Sequence, residues 1–467
     1  MFEKSVYIKR RNQLRKDVSS GLILFLGNPE ASMNYPANTF HYRQDSNFLY
    51  FFGHNLPDLA GIVDVDNGKD IFFGNDVDID DIIWMGPQES MREKADSVGV
   101  ENCEPFNRLF DYVGEAIKQG RKVHFTPPYR ALNIILLEKL TGIHPSKIKS
   151  YASLELIRAI VKQRSIKDKF EIAELEKAAD IGCLMHTSAM RFVKPGMIEQ
   201  EVAGYIEGIA LSKGNGVSFP VILSVNGEIL HNHSHNNIMR EGDLLVIDSG
   251  AATFMDYASD YTRTMPVSGR FLPEQKAIYE TVLEANMKSI EACKPGITYR
   301  EVHLMASKII ASGLKDFGLM KGNIDDAVEA GAHALFFPHG LGHMLGLDVH
   351  DMEDLGQIYV GFDDEIHPAS QFGLASLRLG RRLQEGFVIT VEPGIYFIPA
   401  LIDIWKGEGK FSEFINYDKV EKLKGFGGIR IEDDVLITSG GYHVLGKPLA
   451  KSVKDIEETM ANKIQDV

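Results

Sequence analysis

Two short apolar runs, each broken by one acid, are the first residues in this chain whose types and spacing suggest chemistry. They are Leu244-Leu245-Val246-Ile247-Asp248-Ser249-Gly250 and Tyr257-Ala258-Ser259-Asp260-Tyr261-Thr262-Arg263-Thr264. If the chain reverses near Phe254, Asp248 and Asp260 lie equally far from the turn and face each other across an antiparallel pair. Directly opposed side chains sit about 4.5–5.5 Å apart at Cβ, so two unpaired carboxylates there would repel. A bound cation, or a pair of them, removes the conflict. On this hairpin alone a second reading stays open, in which one aspartate caps a turn and the other faces solvent.

Three later segments add ligand-capable side chains. Pro338-His339-Gly340-Leu341-Gly342-His343 sets two histidines among glycines that allow close backbone approach, and Asp348-Val349-His350-Asp351 follows. Thr390-Val391-Glu392-Pro393-Gly394 ends an apolar strand on a glutamate just before a break. Gly428-Ile429-Arg430-Ile431-Glu432-Asp433 places a basic and an acidic residue two apart, on one strand face. Two aspartates, two glutamates and a histidine make an oxygen-rich set suited to divalent manganese, cobalt, zinc or iron. Bridging carboxylates favour two metals about 3.5–4 Å apart, an arrangement that activates a shared water for hydrolysis.

Taken together, the run 244–264, His339-Gly340-Leu341-Gly342-His343, Val391-Glu392-Pro393-Gly394 and Arg430-Ile431-Glu432 resemble the proline-specific branch of the pita-bread metallopeptidases, which covers Xaa-Pro aminopeptidases and prolidases. The resemblance extends over nearly the whole chain. Tyr42-Arg43-Gln44-Asp45-Ser46-Asn47-Phe48-Leu49-Tyr50-Phe51-Phe52-Gly53 is similar to part of the accessory domain that precedes the catalytic domain in that family. The resemblance implies that Asp248, Asp260, His343, Glu392 and Glu432 hold two divalent metal ions, with Asp260 and Glu432 bridging. Manganese is the ion it suggests. It further implies that His231, His339 and His350 line the substrate site and that Arg430 keeps the site in order.

In such a site Glu392 is the candidate to take the proton of a metal-activated water, and His350, with His231 beside it, the candidate donor to the oxyanion. The implied substrate is a peptide with proline in second position. An aminopeptidase acting on longer peptides is the first reading and a dipeptidase the alternative. Two insertions, at 351–377 and 397–425, lean toward the dipeptidase. In prolidases an arginine that matches Arg378 binds the free carboxylate of a dipeptide, as a planar guanidinium does bidentately. Arg378, Arg381 and Arg382 read equally well as a solvated basic stretch.

Other chemistries find less support. The segment Leu230-His231-Asn232-His233-Ser234-His235 would put three histidines on one face of a strand, which suggests a separate metal site, but only His231 matches the family. The glycines of 340–346 depart from a dinucleotide fingerprint, and HExxH and GxSxG are absent. Relatives that have lost the metal and act as binding proteins, or the metal-free creatinase branch, conflict with the complete ligand set.

Residues 1–155 mix short apolar runs with turn signals and suggest an α/β accessory domain; 156–467 form the catalytic domain, which by resemblance is a curved, mainly antiparallel sheet covered by helices. The overall class is α/β (α+β). Helical spacing covers 154–184, 197–213, 273–293 and 298–313, and strand-like runs cover 217–226, 243–254, 257–267, 387–391 and 429–438. The acidic stretch 75–81 lacks the glycine and closing glutamate of a calcium loop and reads as a solvated turn.

At 467 residues, 44% hydrophobic and 25% charged, the chain has the composition of a globular protein of two domains. A net charge of -15 argues against a nucleic-acid partner. Cys103, Cys183 and Cys293 form no CxxC pair, and neither a signal-peptide core nor a bilayer-length apolar run is seen. A cytoplasmic protein with no membrane partner is expected, and the family suggests a homodimer or higher homo-oligomer.

Overall fold

The computed structural model describes residues 1–463, which form two compact units: 1–164 with 353–359, and 165–352 with the chain from 360 onward. In the first unit five strands pair in the order Asn102–Pro105, Lys69–Gly74, Ala60–Asp64, Leu22–Leu26, Val123–His124. The three central strands are antiparallel and the outer two join parallel to their neighbours. Alternation along each strand sets the faces. Leu22, Leu24, Ala60, Ile62, Ile71 and Phe73 bury against Leu109 and Val113 of helix Arg108–Lys118 and Leu137 and Leu140 of helix Ala131–Thr141. Phe25 and Phe72, on the opposite face, pack on Phe51 and Phe52 of the fully buried helix Ser46–Phe52, which Asp45 caps. The acidic stretch 75–81 is more than a turn. Asp78 caps the exposed helix Ile79–Met85 in a capping box with Asp81.

In the second unit the strand pairing is antiparallel throughout. Ile222–Ser224, Leu244–Ser249 and Tyr261–Pro266 form one group, Val388–Val391, Asp433–Thr438 and Gly441–Val444 a second, and Gly394–Tyr396 with Gly428–Arg430 a third. The run at 429–438 is thus two strands, because Ile431 and Glu432 leave the ladder: the Glu432 amide donates to Thr262 O at 3.0 Å and that of Ile431 to Pro393 O at 3.3 Å. These crossing bonds tie the three groups into one curved surface.

Helices Lys169–Phe192 and Pro273–Ala292 cover it. His186 Nε2 meets Ser249 O at 3.1 Å, and Asn286 donates through Nδ2 to Val391 O at 3.0 Å. The helical run from 154 divides into Leu154–Ser165 and Lys169–Phe192, since Asp168 caps the second helix with Glu171 returning the bond. This is the α/β (α+β) architecture indicated by the sequence, with a mixed N-terminal sheet and a curved antiparallel catalytic sheet under helices. Among the described residues no helix is long and apolar enough to cross a membrane.

Candidate metal and substrate site

The hairpin register differs from the expectation. Asp248 pairs with Thr262, and the ladder continues through the bridge Ala252–Ala258, so the reversal centres on Met255. A five-residue loop causes the shift: Thr253 N donates to Tyr257 O, and Asp256 takes a positive φ of 63°. Asp260 therefore lies two residues along from the position opposite Asp248. The acids share a face as diagonal neighbours instead of facing each other directly.

The remaining acids and His343 arrive by backbone pairing. Segment 341–345 runs antiparallel to strand Val388–Val391, with Thr390 N donating to His343 O at 3.0 Å and Glu392 N to Leu341 O at 2.8 Å. Gly342 permits this approach, because a Cβ there would lie 2.2 Å from Thr390 O. Glu432 occupies the strand break, where Thr262 Oγ1 donates to its Oε2 at 2.6 Å. Asp260, His343 and Glu432 are buried and each brings a ligand atom within 4.8 Å of the others. His343 Nε2 lies 3.4 Å from Asp260 Oδ2 and 3.7 Å from Glu392 Oε1. Its Nδ1, 3.0 Å from Met344 O, is the natural place for the ring proton, which leaves the Nε2 lone pair toward the carboxylates.

Burial, reinforced by neighbouring carboxylates, holds Asp260 and Glu432 well above the usual carboxylate range. Burial also raises Glu392, against the opposing pull of His343 and Arg430. Asp248 Oδ1 and Asp260 Oδ1 are buried without a protein partner. Crowded acids with orphaned oxygens, joined by one histidine, fit a pair of divalent cations, which would neutralise the charge and satisfy the oxygens.

Arg430 organises the other side. It donates from Nη2 to Asp248 Oδ2 at 2.6 Å, from Nε to Thr262 Oγ1 at 3.0 Å and from Nη1 to Tyr396 Oη at 2.9 Å. Tyr396 Oη in turn meets His339 Nε2 at 2.8 Å, and His339 Nδ1 meets Gly340 O at 2.8 Å. Burial and the arginine push the His339 imidazole down to about 3, so it is neutral and accepts from the tyrosine. Tyr396 and Thr262 were not singled out by the sequence. Thr262 had a signal, its place two residues from Asp260 on the same face; nothing in the spacing distinguished Tyr396 from a core tyrosine.

Two adjoining cavities gather all ten candidate residues. The smaller, about 140 Å³, is lined by His231, His339, Ser376, Arg378 and Arg430. The larger, about 230 Å³, is lined by Asp260, His343 and Glu432 and walled by Phe219, Pro220, Ile222 and Val349. His231, Asp248, His350 and Glu392 border both. The ring of His350 packs on that of His343 with centroids 4.0 Å apart. The three histidines of 231–235 do not share a strand face. Asn232 accepts from Ser234 N at 2.9 Å and donates to Ser224 Oγ at 2.9 Å, which bends the segment into a turn. His233 lines the larger cavity, whereas His235 bonds Leu223 O at 3.0 Å.

Residues 173–439 match Metallopeptidase family M24, and residues 7–124 match Aminopeptidase P, N-terminal domain. The Xaa-Pro dipeptidase of Homo sapiens is 32% identical, covering 96% of this chain and 91% of its own length. The probable Xaa-Pro aminopeptidase of Botryotinia fuckeliana is 33% identical, covering 89% of this chain and 86% of its own. A solved structure of zinc-substituted E. coli aminopeptidase P in complex with product is similar over 99% of this chain and 100% of that one, at 29% identity and a TM-score of 0.81. With its buried Asp/His/Glu cluster in the matched region, the chain belongs to metallopeptidase family M24, as a pita-bread metallopeptidase bearing an N-terminal domain of the aminopeptidase P type.

Proposed function

We propose that this chain is an Xaa-Pro exopeptidase that hydrolyses the bond between an N-terminal residue and a following proline. Asp248, Asp260, His343, Glu392 and Glu432 hold two divalent ions, manganese in the cell. The observation that carries the reading is the convergence of these side chains with His231, His339 and His350 on two joined cavities. Such ions supply Lewis acidity and a water of lowered pKa. Glu392, raised by burial and bordering both cavities, suits the role of proton acceptor. His350 donates to the developing oxyanion, with His231, which borders the same two cavities, supporting it. Arg430 binds Asp248 and, through Tyr396, orients His339 against the substrate.

Residues 1–155 serve as the accessory domain and 156–467 as the catalytic one. The absence of cysteine pairing supports a cytoplasmic setting, since Cys103, Cys183 and Cys293 are all free. Assembly as a homodimer or higher homo-oligomer is supported by helix Ile79–Met85, whose Ile79, Ile83, Trp84 and Met85 are all exposed.

Release of the first residue from longer peptides is the first reading, supported by the aminopeptidase relatives and the similarity to the aminopeptidase P structure. A specific observation favours a second. Arg378 lines the smaller cavity, where its planar guanidinium suits the free carboxylate of an Xaa-Pro dipeptide. Turnover of Ala-Pro and Ala-Pro-Ala by the manganese-loaded protein separates them. Tripeptide cleavage supports the aminopeptidase, dipeptide cleavage alone the dipeptidase, and cleavage of neither removes the proposal.

A further inference from the structure

We propose that Lys167 is a positioning residue for His350, acting through a buried ion pair with Asp351; this rests on the role given to His350 above. Lys167 Nζ lies 2.7 Å from Asp351 Oδ2, and both side chains are 1% exposed. Removing both charges from water costs much of what their attraction returns, and an apolar pair of similar volume often serves stability as well or better. What the ion pair supplies at this point is direction.

Asp351 is the residue next to His350, and its surroundings leave the loop little freedom. Its amide donates to Met344 O at 2.9 Å, its Oδ1 accepts from Asp348 N at 3.3 Å, and Gly346 N donates to Asp348 O at 3.1 Å. Gly346 packs directly on this carboxylate, so that a Cβ there would displace the Asp351 side chain. Met352, fully buried, holds a φ of 65°, a conformation that surrounding contacts must impose on a side-chain-bearing residue. At its other end Lys167 donates its amide to Gly386 O at 2.8 Å, in the turn before strand Val388–Val391. That strand delivers Glu392. One lysine thus ties the loop of the oxyanion donor, through its side chain, to the strand of the proton acceptor, through its backbone. Without the charge, the Asp351 carboxylate loses the cation that fixes its direction, and the imidazole one residue away moves with it. Misplacement of a reacting group by about 1 Å is enough to cost on the order of 100-fold in rate.

The test compares Lys167→Met, the apolar pair Lys167→Met/Asp351→Leu, His350→Ala, and the apolar pair combined with His350→Ala, all loaded with manganese. Metal content, melting temperature, kcat and KM on an Xaa-Pro substrate are read for each. The single lysine variant takes the cation away from a buried carboxylate and loses stability; the apolar pair recovers it. The expected result is a recovered, metal-loaded apolar pair whose kcat is down about 10- to 100-fold with KM nearly unchanged, a loss that vanishes in the His350→Ala background. If the apolar pair stays unstable, Lys167→Arg replaces it, and a lowered kcat at unchanged melting temperature is expected. Full kcat in a stable variant, or the same fold loss with and without His350, overturns the proposal. Full kcat in His350→Ala removes the role of His350 and this proposal with it, whereas loss in His350→Ala alone removes only the positioning role.

Discussion

The Arg430 guanidinium and the Asp248 carboxylate meet at 2.6 Å, with the side chains 4% and 12% exposed. The same guanidinium holds Thr262, which holds Glu432, and Tyr396, which holds His339. One cation therefore governs two candidate metal ligands and one substrate residue. Lysine keeps the charge but carries its three donors on one nitrogen, so it cannot reach three partners spread around a planar guanidinium. Arg430→Lys is expected to lower metal affinity and activity by about 10- to 100-fold. Metal analysis and kinetics on the purified variant check this, and wild-type values in both would contradict the arrangement.

Crowding of Asp260 against Asp248, Glu392 and Asp434 makes the metal-free site self-repelling. Asp260→Asn removes one of the charges. The metal-stripped variant should melt at or above the stripped wild type, yet gain nothing from added manganese, whereas the wild type is stabilised by the bound ions. Thermal melts with chelator and with manganese distinguish the two. A manganese-dependent rise in the variant equal to that of the wild type would remove Asp260 from the ligand set.

Arg378 yields a prediction on substrate form. If its guanidinium pairs with a free carboxylate, Arg378→Ala should raise KM for Ala-Pro by about 10- to 100-fold, the equivalent of a charge-assisted hydrogen bond of roughly 1.5–3 kcal/mol. The amide Ala-Pro-NH2 should be affected far less. Equal effects on both would assign Arg378 to the solvated basic stretch.

Acid should destabilise the catalytic unit through His303 and His333. Both are fully buried, and no ring nitrogen of either has a hydrogen-bond partner. Burial pushes His303 down to about 3 and His333 down to about 4. The unfolded chain takes up these protons below about pH 6.5, so the stability they contribute is complete above that pH and is lost as pH falls toward the folded-state values. His303→Leu should therefore flatten the decline in melting temperature between pH 7.5 and pH 5. An unchanged decline would show that these rings do not control the acid limb.

Much of the site was legible because its acids interrupt apolar runs. Asp248, Glu392 and Glu432 each stand where a strand ends, and a buried strand tolerates a carboxylate only where something neutralises it. The exact facing of Asp248 and Asp260 was not legible. It depends on whether the turn centres on Phe254 or Met255, and that is decided by the positive φ of Asp256 and by bonds across the loop. The division of 429–438 was hidden for a similar reason. Its apolar alternation continues through Ile431, and the ladder breaks because the Ile431 amide turns to Pro393 O and the Glu432 amide to Thr262 O. Tyr396 escaped notice because its function lies in partners 34 and 57 residues away. The Lys167–Asp351 pair joins residues 184 apart and has no local signature.

The central claim is that five side chains hold two ions on which proline-directed hydrolysis depends. Its most direct test is to strip the protein, restore manganese in graded amounts, and measure bound metal and turnover of both Ala-Pro and Ala-Pro-Ala on the same samples. Activity absent in the stripped protein, appearing with occupancy and reaching its maximum at two ions per chain is the predicted result. Turnover that survives complete removal of metal would contradict the account.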